Sequence, residues 1–509
     1  MLAADKVSKV ILTGETLTIE EVYAIAVSKV DVEISEAAMQ KVSESREVVE
    51  EIAKSDKLYY AVNTGTGSNK NVRISKEDLE DFQKRIILSH CIALEPNFPE
   101  HIVRAIMAVR INGMLKGAAG VQPQIVNLLK EMLNRKIHPI VPTRGTVGSS
   151  DIGPLSHLTL PLIGLGEVYY QGRKVSSKEA FDKENLKTIN LGAKDGIGII
   201  NSNAASIGYA ALLLWDCREL INLVDVSYAL NLEGFRGNVS PLYPDSYELR
   251  PHPGQIESAS IIRNVLEGSF LWNPDTARSV QDPISYRSST QVHGTCREAL
   301  EFVENAIRIE MNSMGDNPMI SIEKRDMLSH GQFQITKIAV SFDFLKIALA
   351  NLSTTLCTRI LRLVDPTFSD LTAFLSPNPG ICCGYSTFQK TISHLHSEIR
   401  HLANPTSMDY LPLNRDVEDI STMAPLTISN TEKLIKNLRI LIGVEFMLAT
   451  QAVDLLEKPT LGKGTKIAYD LVRSVVPFLD EDRIISTDVD KVHELLLSGK
   501  FITELNKYF

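Results

Sequence analysis

Two long stretches of helical periodicity constrain the fold of this chain more than any other feature. Residues 337–364 and 430–456 carry apolar residues at spacings of three and four, and the first runs for several turns without proline or glycine. Helices of this length that are apolar on most faces need neighbours on several sides, so they usually pack in bundles. The pattern predicts a mainly α protein with a long central helix bundle that is shared between subunits.

Shorter periodic segments fit the same class. Helical spacing recurs at residues 78–88, 100–115 and 123–134, and strand-like alternation at residues 167–171 and 319–322. The length of 509 residues is enough for a large core, and length alone allows two to four domains. We predict two domains, an N-terminal one over residues 1–205 and a helical one over residues 206–509.

Charge and hydropathy exclude several classes of protein. The net charge of -9 is spread without long runs of one sign, which argues against nucleic acid as the main partner. The first residues lack a basic segment followed by an apolar one, so we expect no signal peptide. The apolar run at residues 204–215 is too short to span a bilayer. We expect a soluble, cytoplasmic protein.

The metal-ligating residue types are not spaced for a metal site. The six cysteines include no CxxC pair, and the adjacent thiols of Cys382 and Cys383 are more often reduced than bridged. His394, Glu398 and His401 could share one helix face, but solvated or hydrogen-bonded roles are the commoner outcome. We predict no bound metal.

One loop carries the strongest resemblance to a known family. Residues 145–157 read GTVGSSDIGPLSH and resemble the loop GSVGASGDLAPLSH of the histidine and phenylalanine ammonia-lyases. In that family the Ala-Ser-Gly triad cyclises to the electrophile methylidene-imidazolone, through attack of the glycine nitrogen on a carbonyl. Here Ser149 and Ser150 run directly into Asp151, one residue short and without the glycine. A Cβ at that corner makes the sharp turn costly, so we predict that this cofactor is absent.

The resemblance extends from about residue 59 to about residue 453. Further motifs fall in the family's order: YAVNTG at residues 60–65, Ser89-His90, residues 196–201, LRPHPGQ at residues 249–255, QDP at residues 281–283 with Arg287, DNP at residues 316–318, and the block at residues 404–418. The chain is therefore identified as a member of the histidine and phenylalanine ammonia-lyase superfamily. The resemblance implies an ammonia-lyase-like fold and a homotetramer whose active sites are each assembled from three subunits.

Catalytic and anchoring roles follow from the same motifs. The resemblance makes Tyr60 the base, although a phenol with a pKa of about 10 needs help, which a cationic substrate would supply. It makes Arg287 the partner of the substrate carboxylate, for which a guanidinium fork is well suited. Asn201 and Gln291 match residues that hold the substrate. Read in isolation, these residues could equally be a turn aromatic, a structural ion pair and backbone-bonded amides.

Two further residues indicate the ring of the substrate. His90 and Glu418 match the histidine branch of the family, and a carboxylate beside an imidazole suits a ring that carries an N–H. We therefore expect a small-molecule substrate with an imidazole or thioimidazole ring. Lys390 lies on a segment that borders the ring pocket in relatives, and it is either a partner for a thiolate-like sulfur or a solvated helix residue.

The chain departs from the family at two more places. Ile284 stands where the family has a second catalytic tyrosine, and Tyr286, two places on, is displaced from that role. The segment at residues 331–334 keeps only the glycine and Phe333 of the family's Gly-Asn-Phe-His. The shortened loop leaves room for three methyl groups. Aromatic rings for a cation–π site would come from Tyr60, Phe333 and either Tyr286 or Tyr385.

These departures favour a leaving group that needs no electrophile. A quaternary ammonium already leaves as a neutral amine, so the leading hypothesis is elimination of trimethylamine from ergothioneine, or from the related trimethylhistidine betaine. The product from ergothioneine would be thiourocanate. Two alternatives stay open: a histidine ammonia-lyase whose loop does cyclise, converting histidine to urocanate and ammonia, and a non-catalytic paralogue that binds ligand or serves a structural role.

Overall fold

The computed structural model of the chain describes residues 8–75 and 77–509, and over this range helices predominate. The helices are α1 (Ile19–Ala26), α2 (Glu36–Lys54), α3 (Leu79–His90), α4 (Glu100–Met114), α5 (Pro123–Asn134), α6 (Ile152–Thr159), α7 (Ser177–Glu184), α8 (Asp195–Ile200), α9 (Ala204–Phe235), α10 (Asp245–Glu248), α11 (Pro253–Val265), α12 (Ile284–Arg287), α13 (Ser289–Met311), α14 (Thr336–Leu363), α15 (Pro366–Ser369), α16 (Gln389–Leu402), α17 (Ala424–Leu455), α18 (Lys463–Arg473), α19 (Ile485–Leu497) and α20 (Lys500–Leu505). The strands are β1 (Lys9–Leu12), β2 (Asp31–Ile34), β3 (Leu94–Asn97), β4 (His138–Pro139), β5 (Pro142–Arg144), β6 (Glu167–Tyr170), β7 (Arg173–Ser176), β8 (Met319–Ser321) and β9 (Asp326–Leu328).

A bundle of long helices forms the core, and the prediction of a mainly α fold with a long central bundle is confirmed. Helix α9 packs against α17, α13 and α4, while α14 packs against α13 and α17. The two helices predicted from periodicity are α14, displaced by one residue, and α17. Helix α17 begins six residues before the predicted start, because the left-handed Met423 and a proline in the first turn set its beginning.

The central helix α9 was not predicted as a helix. All of its 32 residues are buried except Asp216, Arg218, Glu219 and Asn222, so its sequence is apolar on every face and lacks the periodicity that marks a surface helix. By length and composition the stretch Asp195–Phe235 could cross a membrane, but its apolar part is wholly buried inside the fold, as in the core helix of a soluble protein. The predicted domain boundary after residue 205 falls in its first turn and stays a prediction.

The strands form small sheets that support loops rather than a core. β1 and β2 pair in parallel, β3 pairs with β5, β4–β6–β7 form an antiparallel sheet, and β8 pairs with β9 as a hairpin. Two strands adjoin segments of the candidate site. β5 ends at Arg144, directly before the shortened loop, and β8 begins directly after Pro318 of the DNP motif. The sheets therefore fix where the loop segments of the candidate site begin.

A buried ion pair joins the long helices towards their C-terminal ends. Arg359 of α14 donates from Nε and Nη2 to the carboxylate of Glu445 on α17, at 2.9 and 3.1 Å, and neither side chain has any exposed area. Glu445 also accepts from Ser227 and Asn231 of α9, at 2.7 and 2.9 Å. Arg359 reaches α13 through the Ser289 hydroxyl at 3.0 Å. One pair of charges thus connects four helices.

Breaking this pair should destabilise the protein strongly. Glu445→Gln leaves the Arg359 guanidinium buried without a counter-charge, and we expect the free energy of unfolding to fall by about 3–5 kcal/mol. The measurement is urea denaturation followed by circular dichroism. The matched control is Asp470→Asn, which removes the partner of the exposed Lys466 and should cost less than about 0.5 kcal/mol. Equal, small losses in both variants would contradict the assignment.

Candidate active site

The shortened loop is held by the start of α17. The backbone N–H groups of Thr422 and Met423 both donate to the Val147 carbonyl, at 3.2 and 2.8 Å. The Thr422 hydroxyl donates to the Gly148 carbonyl at 2.9 Å. Gly148 has a φ of +82°, and a Cβ there would collide with that hydroxyl, so the residue must be glycine. The loop backbone and the first turn of α17 therefore form one unit.

The two serines are bound by residues that precede α9 and α14. Ser149 donates from its hydroxyl to the Gln334 side-chain oxygen at 3.2 Å. Ser150 has a φ of +71°, its N–H donates to Asn203 Oδ1 at 3.0 Å, and its hydroxyl donates to Asn201 Oδ1. Each polar atom named here is engaged by a neighbouring side chain, which fixes the conformation of the loop.

Asp151 is fully buried, directly precedes α6 in the chain, and hydrogen-bonds to the start of α9. Its N–H donates to the Ser202 carbonyl at 2.6 Å. Its carboxylate accepts from the Ser206 N–H and hydroxyl, at 2.7 and 3.0 Å, and from the Thr146 hydroxyl at 2.9 Å. Burial raises the pKa of this carboxyl to about 6, although these donors act in the opposite direction. Asp151 thus satisfies backbone groups at the helix start in the manner of an N-cap.

Three long helices therefore begin at the shortened loop. Asn203 immediately precedes α9 and Asn201 lies two residues before Asn203, while Gln334 and Thr422 each lie two residues before the first residue of α14 and α17. Each helix start carries a partial positive charge from its unpaired N–H groups. Their convergence makes this region favourable for negative charge on a ligand.

A cavity of about 420 Å³ lies next to this arrangement and contains Tyr60. Asn201 connects it to the loop, because its Nδ2 donates to the Asn317 carbonyl at 2.5 Å and Asn317 lines the cavity. The other lining residues are Leu58, Thr64, Gly67, Lys70, Asn71, Ser329 and Val417. The half-buried Phe333 lies on the same side, since its carbonyl accepts from Asn203 Nδ2 at 2.8 Å.

The turn after Tyr60 carries a lysine that no sequence motif indicated. The Gly67 N–H donates to the Tyr60 phenolic oxygen at 2.9 Å. Residues Gly67–Asn69 form a single tight helical turn, closed by the Lys70 N–H donating to the Gly67 carbonyl at 3.2 Å. Lys70 lines the cavity together with Tyr60. Its signal in the sequence was only a lysine within the polar turn at residues 66–71.

Glu418 reaches the same region from an exposed hairpin. Its N–H and carbonyl pair with those of Leu413, and its carboxylate accepts from Asn414 Nδ2 at 3.0 Å. Asn414 lies against Gly67, where any Cβ would meet its amide. The neighbouring Val417 lines the cavity. One chain thus brings Tyr60, Lys70 and Glu418 to one place.

His90 ends α3 close to the loop. Its Nδ1 lies 2.7 Å from the Ile86 carbonyl and 3.2 Å from the Ser89 hydroxyl, so the first contact requires the tautomer protonated at Nδ1. The chain then passes through Ala93, which packs against Gly145. This connection places the end of α3, and with it His90, near the first residue of the loop, with the His90 Nδ1 engaged by Ile86.

Arg287 and Gln291 lie on a different part of the chain, at the α12–α13 junction. Arg287 Nε donates to the Asp282 carbonyl at 2.9 Å, and its two Nη atoms face the side-chain oxygen of Gln281. Gln291 accepts from the Thr290 hydroxyl at 3.1 Å. Among the described residues, none of these contacts reaches the Tyr60 cavity. These contacts therefore do not join Arg287 to Tyr60 within one chain.

Lys390 and the remaining aromatic candidates also lie apart from the cavity. Lys390 is exposed at the start of α16, beside His394, whose Nε2 lies 3.1 Å from Glu398. Tyr286 is buried, donates to Asn231 at 2.8 Å and stacks on Phe235. Tyr385 is equally buried, and burial raises its pKa to about 12. Neither ring is open to a bound cation, because both belong to the core.

The described residues contain no cluster of three or more His, Cys, Asp or Glu side chains that could hold a metal ion. Five of the potential ligands, Asp151, Asp225, His293, Asp316 and Glu445, are buried and already paired or hydrogen-bonded within the fold. The candidate site is therefore built from amides, hydroxyls, a phenol, a carboxylate, an imidazole and an ammonium group.

Comparison with known proteins gives consistent results along the chain. The family described as aromatic amino acid lyase matches residues 17–474. The histidine ammonia-lyase of Alkaliphilus oremlandii is 37% identical over 98% of this chain and 99% of that protein. The ergothionase of Treponema denticola, solved with desmethyl-ergothioneine sulfonic acid, is 37% identical, with a TM-score of 0.95 over 97% of this chain and 99% of that one. The tyrosine aminomutase of Streptomyces globisporus is 31% identical, with a TM-score of 0.93 over 98% of each chain.

The raised pKa of Asp151 predicts a stability that falls as the pH rises. The folded protein holds this proton up to a pKa of about 6, against 3.8 for an ordinary aspartate, so the stabilisation is fully present below pH 4 and is lost through pH 6. The loss should be about 3 kcal/mol. Urea denaturation of the unmodified protein and of Asp151→Asn, at pH 4 to 7, measures it as the difference between their curves. Parallel curves would contradict the assignment.

Proposed function

The chain belongs to the aromatic amino acid lyase family and is a carbon–nitrogen lyase, and on that premise we propose that it eliminates trimethylamine from ergothioneine. The related trimethylhistidine betaine is an equally suitable substrate by the same reasoning, because it carries the same carboxylate, quaternary nitrogen and imidazole ring. The product from ergothioneine is thiourocanate. The reaction uses no methylidene-imidazolone.

The observation that carries this proposal is the conformation of residues 149–151. Cyclisation needs a free backbone nitrogen after Ser150 that can turn back onto the carbonyl of Ser149, two residues before it. Here that nitrogen belongs to Asp151, whose N–H donates to Ser202 and whose side chain is fixed by Ser206 and Thr146. A buried residue held by four hydrogen bonds does not fit the ring. We therefore derive no step through that electrophile.

The leaving group makes the electrophile unnecessary. A primary ammonium is a poor leaving group unless it is first activated. A trimethylammonium nitrogen takes the electrons of its bond to Cα and departs as neutral trimethylamine. The cleaved Cβ–H bond supplies the electrons of the new Cα=Cβ bond, so the proton transferred to the base and the departing amine balance the reaction.

Tyr60 is the proposed base for the Cβ proton. Its oxygen accepts the Gly67 N–H at 2.9 Å, which fixes the position of the phenol in the turn. Lys70 lines the same cavity, so its ammonium can attract negative charge on the substrate ring. The proposed substrate brings its own cationic nitrogen into the same site.

Glu418 and His90 are the proposed ring partners. The Glu418 carboxylate accepts from Asn414 at 3.0 Å and has lone pairs left for a ring N–H of the substrate. His90 can meet the ring with Nε2, because its Nδ1 is engaged by the Ile86 carbonyl. Asn201 and Phe333 contribute polar and aromatic surface beside the loop. Lys390, exposed on α16, is a partner for the substrate sulfur only if another copy brings it to the cavity.

The carboxylate anchor is proposed to come from a neighbouring copy. Arg287 and Gln291 lie outside the Tyr60 cavity of their own chain. The hairpin that carries Glu418 is exposed over residues 409–420, and it includes Leu411 and Ile420 among its exposed apolar side chains. Covering such a surface with a second copy favours assembly. We propose a homotetramer with shared active sites.

Histidine ammonia-lyase is the second candidate. It is favoured by relatives of that name that are 37–39% identical over most of the chain. The loop and Ile284 count against it, because the electrophile and the second tyrosine of that branch have no counterpart in this chain. A non-catalytic paralogue ranks third, since Tyr60 and Glu418 lie together beside one cavity.

Purified protein incubated separately with ergothioneine and with L-histidine tests the reaction. We expect trimethylamine and an ultraviolet-absorbing conjugated product from ergothioneine, and no ammonia from histidine. Intact mass spectrometry should give the mass encoded by the gene, because ring formation would remove two waters. Ammonia from histidine together with a mass lower by two waters would replace this proposal with the second candidate. No product from either substrate would favour the third candidate, the non-catalytic paralogue.

Mixed assemblies test whether two copies share one site. Tyr60→Phe removes the base and Arg287→Met removes the anchor, so each variant alone should lose at least about 100-fold in kcat/KM. After the two are co-expressed, some sites combine an intact Tyr60 with an intact Arg287, and activity should return to a sizeable fraction of normal. Mixing Tyr60→Phe with Glu418→Gln is the control. Because one chain supplies both residues to a site, no site in this mixture has both intact, and activity should stay low. Activity that returns in neither mixture would contradict shared sites.

A further inference from the structure

We propose that Ile284 selects the trimethylated substrate by contacting its N-methyl groups, an inference that rests on the proposed function. Ile284 opens α12, and 68% of its side chain is exposed in the single chain. It is an exposed isoleucine one helical turn before the proposed carboxylate anchor, Arg287. Its side chain is exposed and is not packed against the hydrophobic core.

The geometry of α12 separates an inward and an outward side. Tyr286 points into the core, where its hydroxyl reaches Asn231 and its ring stacks on Phe235. Ile284 and Arg287 are three residues apart and therefore lie on one face of the turn, with their Cβ atoms about 5–6 Å apart. The guanidinium is oriented by the Asp282 carbonyl and Gln281. The outward side of α12 therefore carries the fixed guanidinium of Arg287 next to the apolar side chain of Ile284.

The substrate has a matching arrangement. In an α-amino-acid betaine the carboxylate and the quaternary nitrogen are bonded to the same carbon. A carboxylate held by Arg287 therefore brings its methyl groups within a few ångströms of the next side chain on that face, which is Ile284. Three methyl groups present an apolar surface that isoleucine can cover.

The same contact excludes substrates that retain an N–H. A primary or tertiary ammonium beside Ile284 would lose water without gaining a hydrogen-bond acceptor, and burying an unpaired donor is costly. Ile284 offers no acceptor atom. Ile284 therefore discriminates between ligands in two ways. It offers no hydrogen-bond acceptor to a ligand N–H, and it covers the methyl groups of the trimethylated ligand.

Binding measurements separate this inference from catalysis. The full chain carrying Tyr60→Phe, which leaves the substrate unreacted, is titrated by calorimetry with ergothioneine and with its Nα-dimethyl analogue. Ile284→Asn, added to this background, should weaken ergothioneine binding by about tenfold and leave dimethyl-analogue binding the same or tighter, because the asparagine oxygen can accept its N–H. Ile284→Val should keep the preference. Ile484→Asn, at another exposed isoleucine 74% open to solvent, is the matched control.

The outcomes are distinct. A preference for the trimethyl ligand that falls in Ile284→Asn and persists in Ile284→Val and Ile484→Asn supports the assignment. An unchanged preference in Ile284→Asn, or an equal loss for both ligands, overturns it. If the unmodified enzyme releases no trimethylamine while the binding preference still follows Ile284, the proposed reaction is wrong and the selectivity assignment stands.

Discussion

The buried pair of Arg359 and Glu445 is the constraint on which the rest of the structure depends. Two full charges without exposed area are tolerated only when each is paired and its remaining hydrogen-bonding positions are filled. Ser227 and Asn231 fill them for Glu445, which ties α9 to α14 and α17 at one level. A helix that must present a polar group at one fixed height cannot slide or rotate against its neighbours. The pair therefore sets the relative register of the bundle, and with it the positions of the helix starts.

The candidate site lies at those starts. Helices α9, α14 and α17 all begin beside the shortened loop, and Asn203, Gln334 and Thr422 bond to it from each of them. Groups from distant parts of the sequence therefore meet in one place because the helices they precede are locked together farther along. The electrostatic consequence is that positive helix ends meet at the loop, where the Asp151 carboxylate and the Val147 carbonyl accept their N–H groups.

Periodicity allowed the class of fold and helices α14 and α17 to be predicted, because each has a polar side that interrupts its apolar stripe. It could not reveal α9, which is apolar on every face and so has no stripe. The motifs allowed Tyr60 and Glu418 to be predicted as site residues, and the two lie near each other in one chain. They did not supply Lys70, since a lysine in a polar turn has no pattern of its own, nor the separation of Arg287 from the cavity, which only the folded chain contains.

The attachment of the shortened loop has a consequence for how such a protein changes over evolutionary time. Much of its conformation is imposed from outside, by Asn201, Asn203, Gln334 and Thr422, in addition to what Gly148 allows. The buried ion pair that joins the long helices lies towards their other ends, far along each helix from the loop. A residue can therefore be lost from the loop without unfolding the bundle. One scaffold can exchange one leaving-group chemistry for another through small steps, each of which leaves a folded protein for selection to act on.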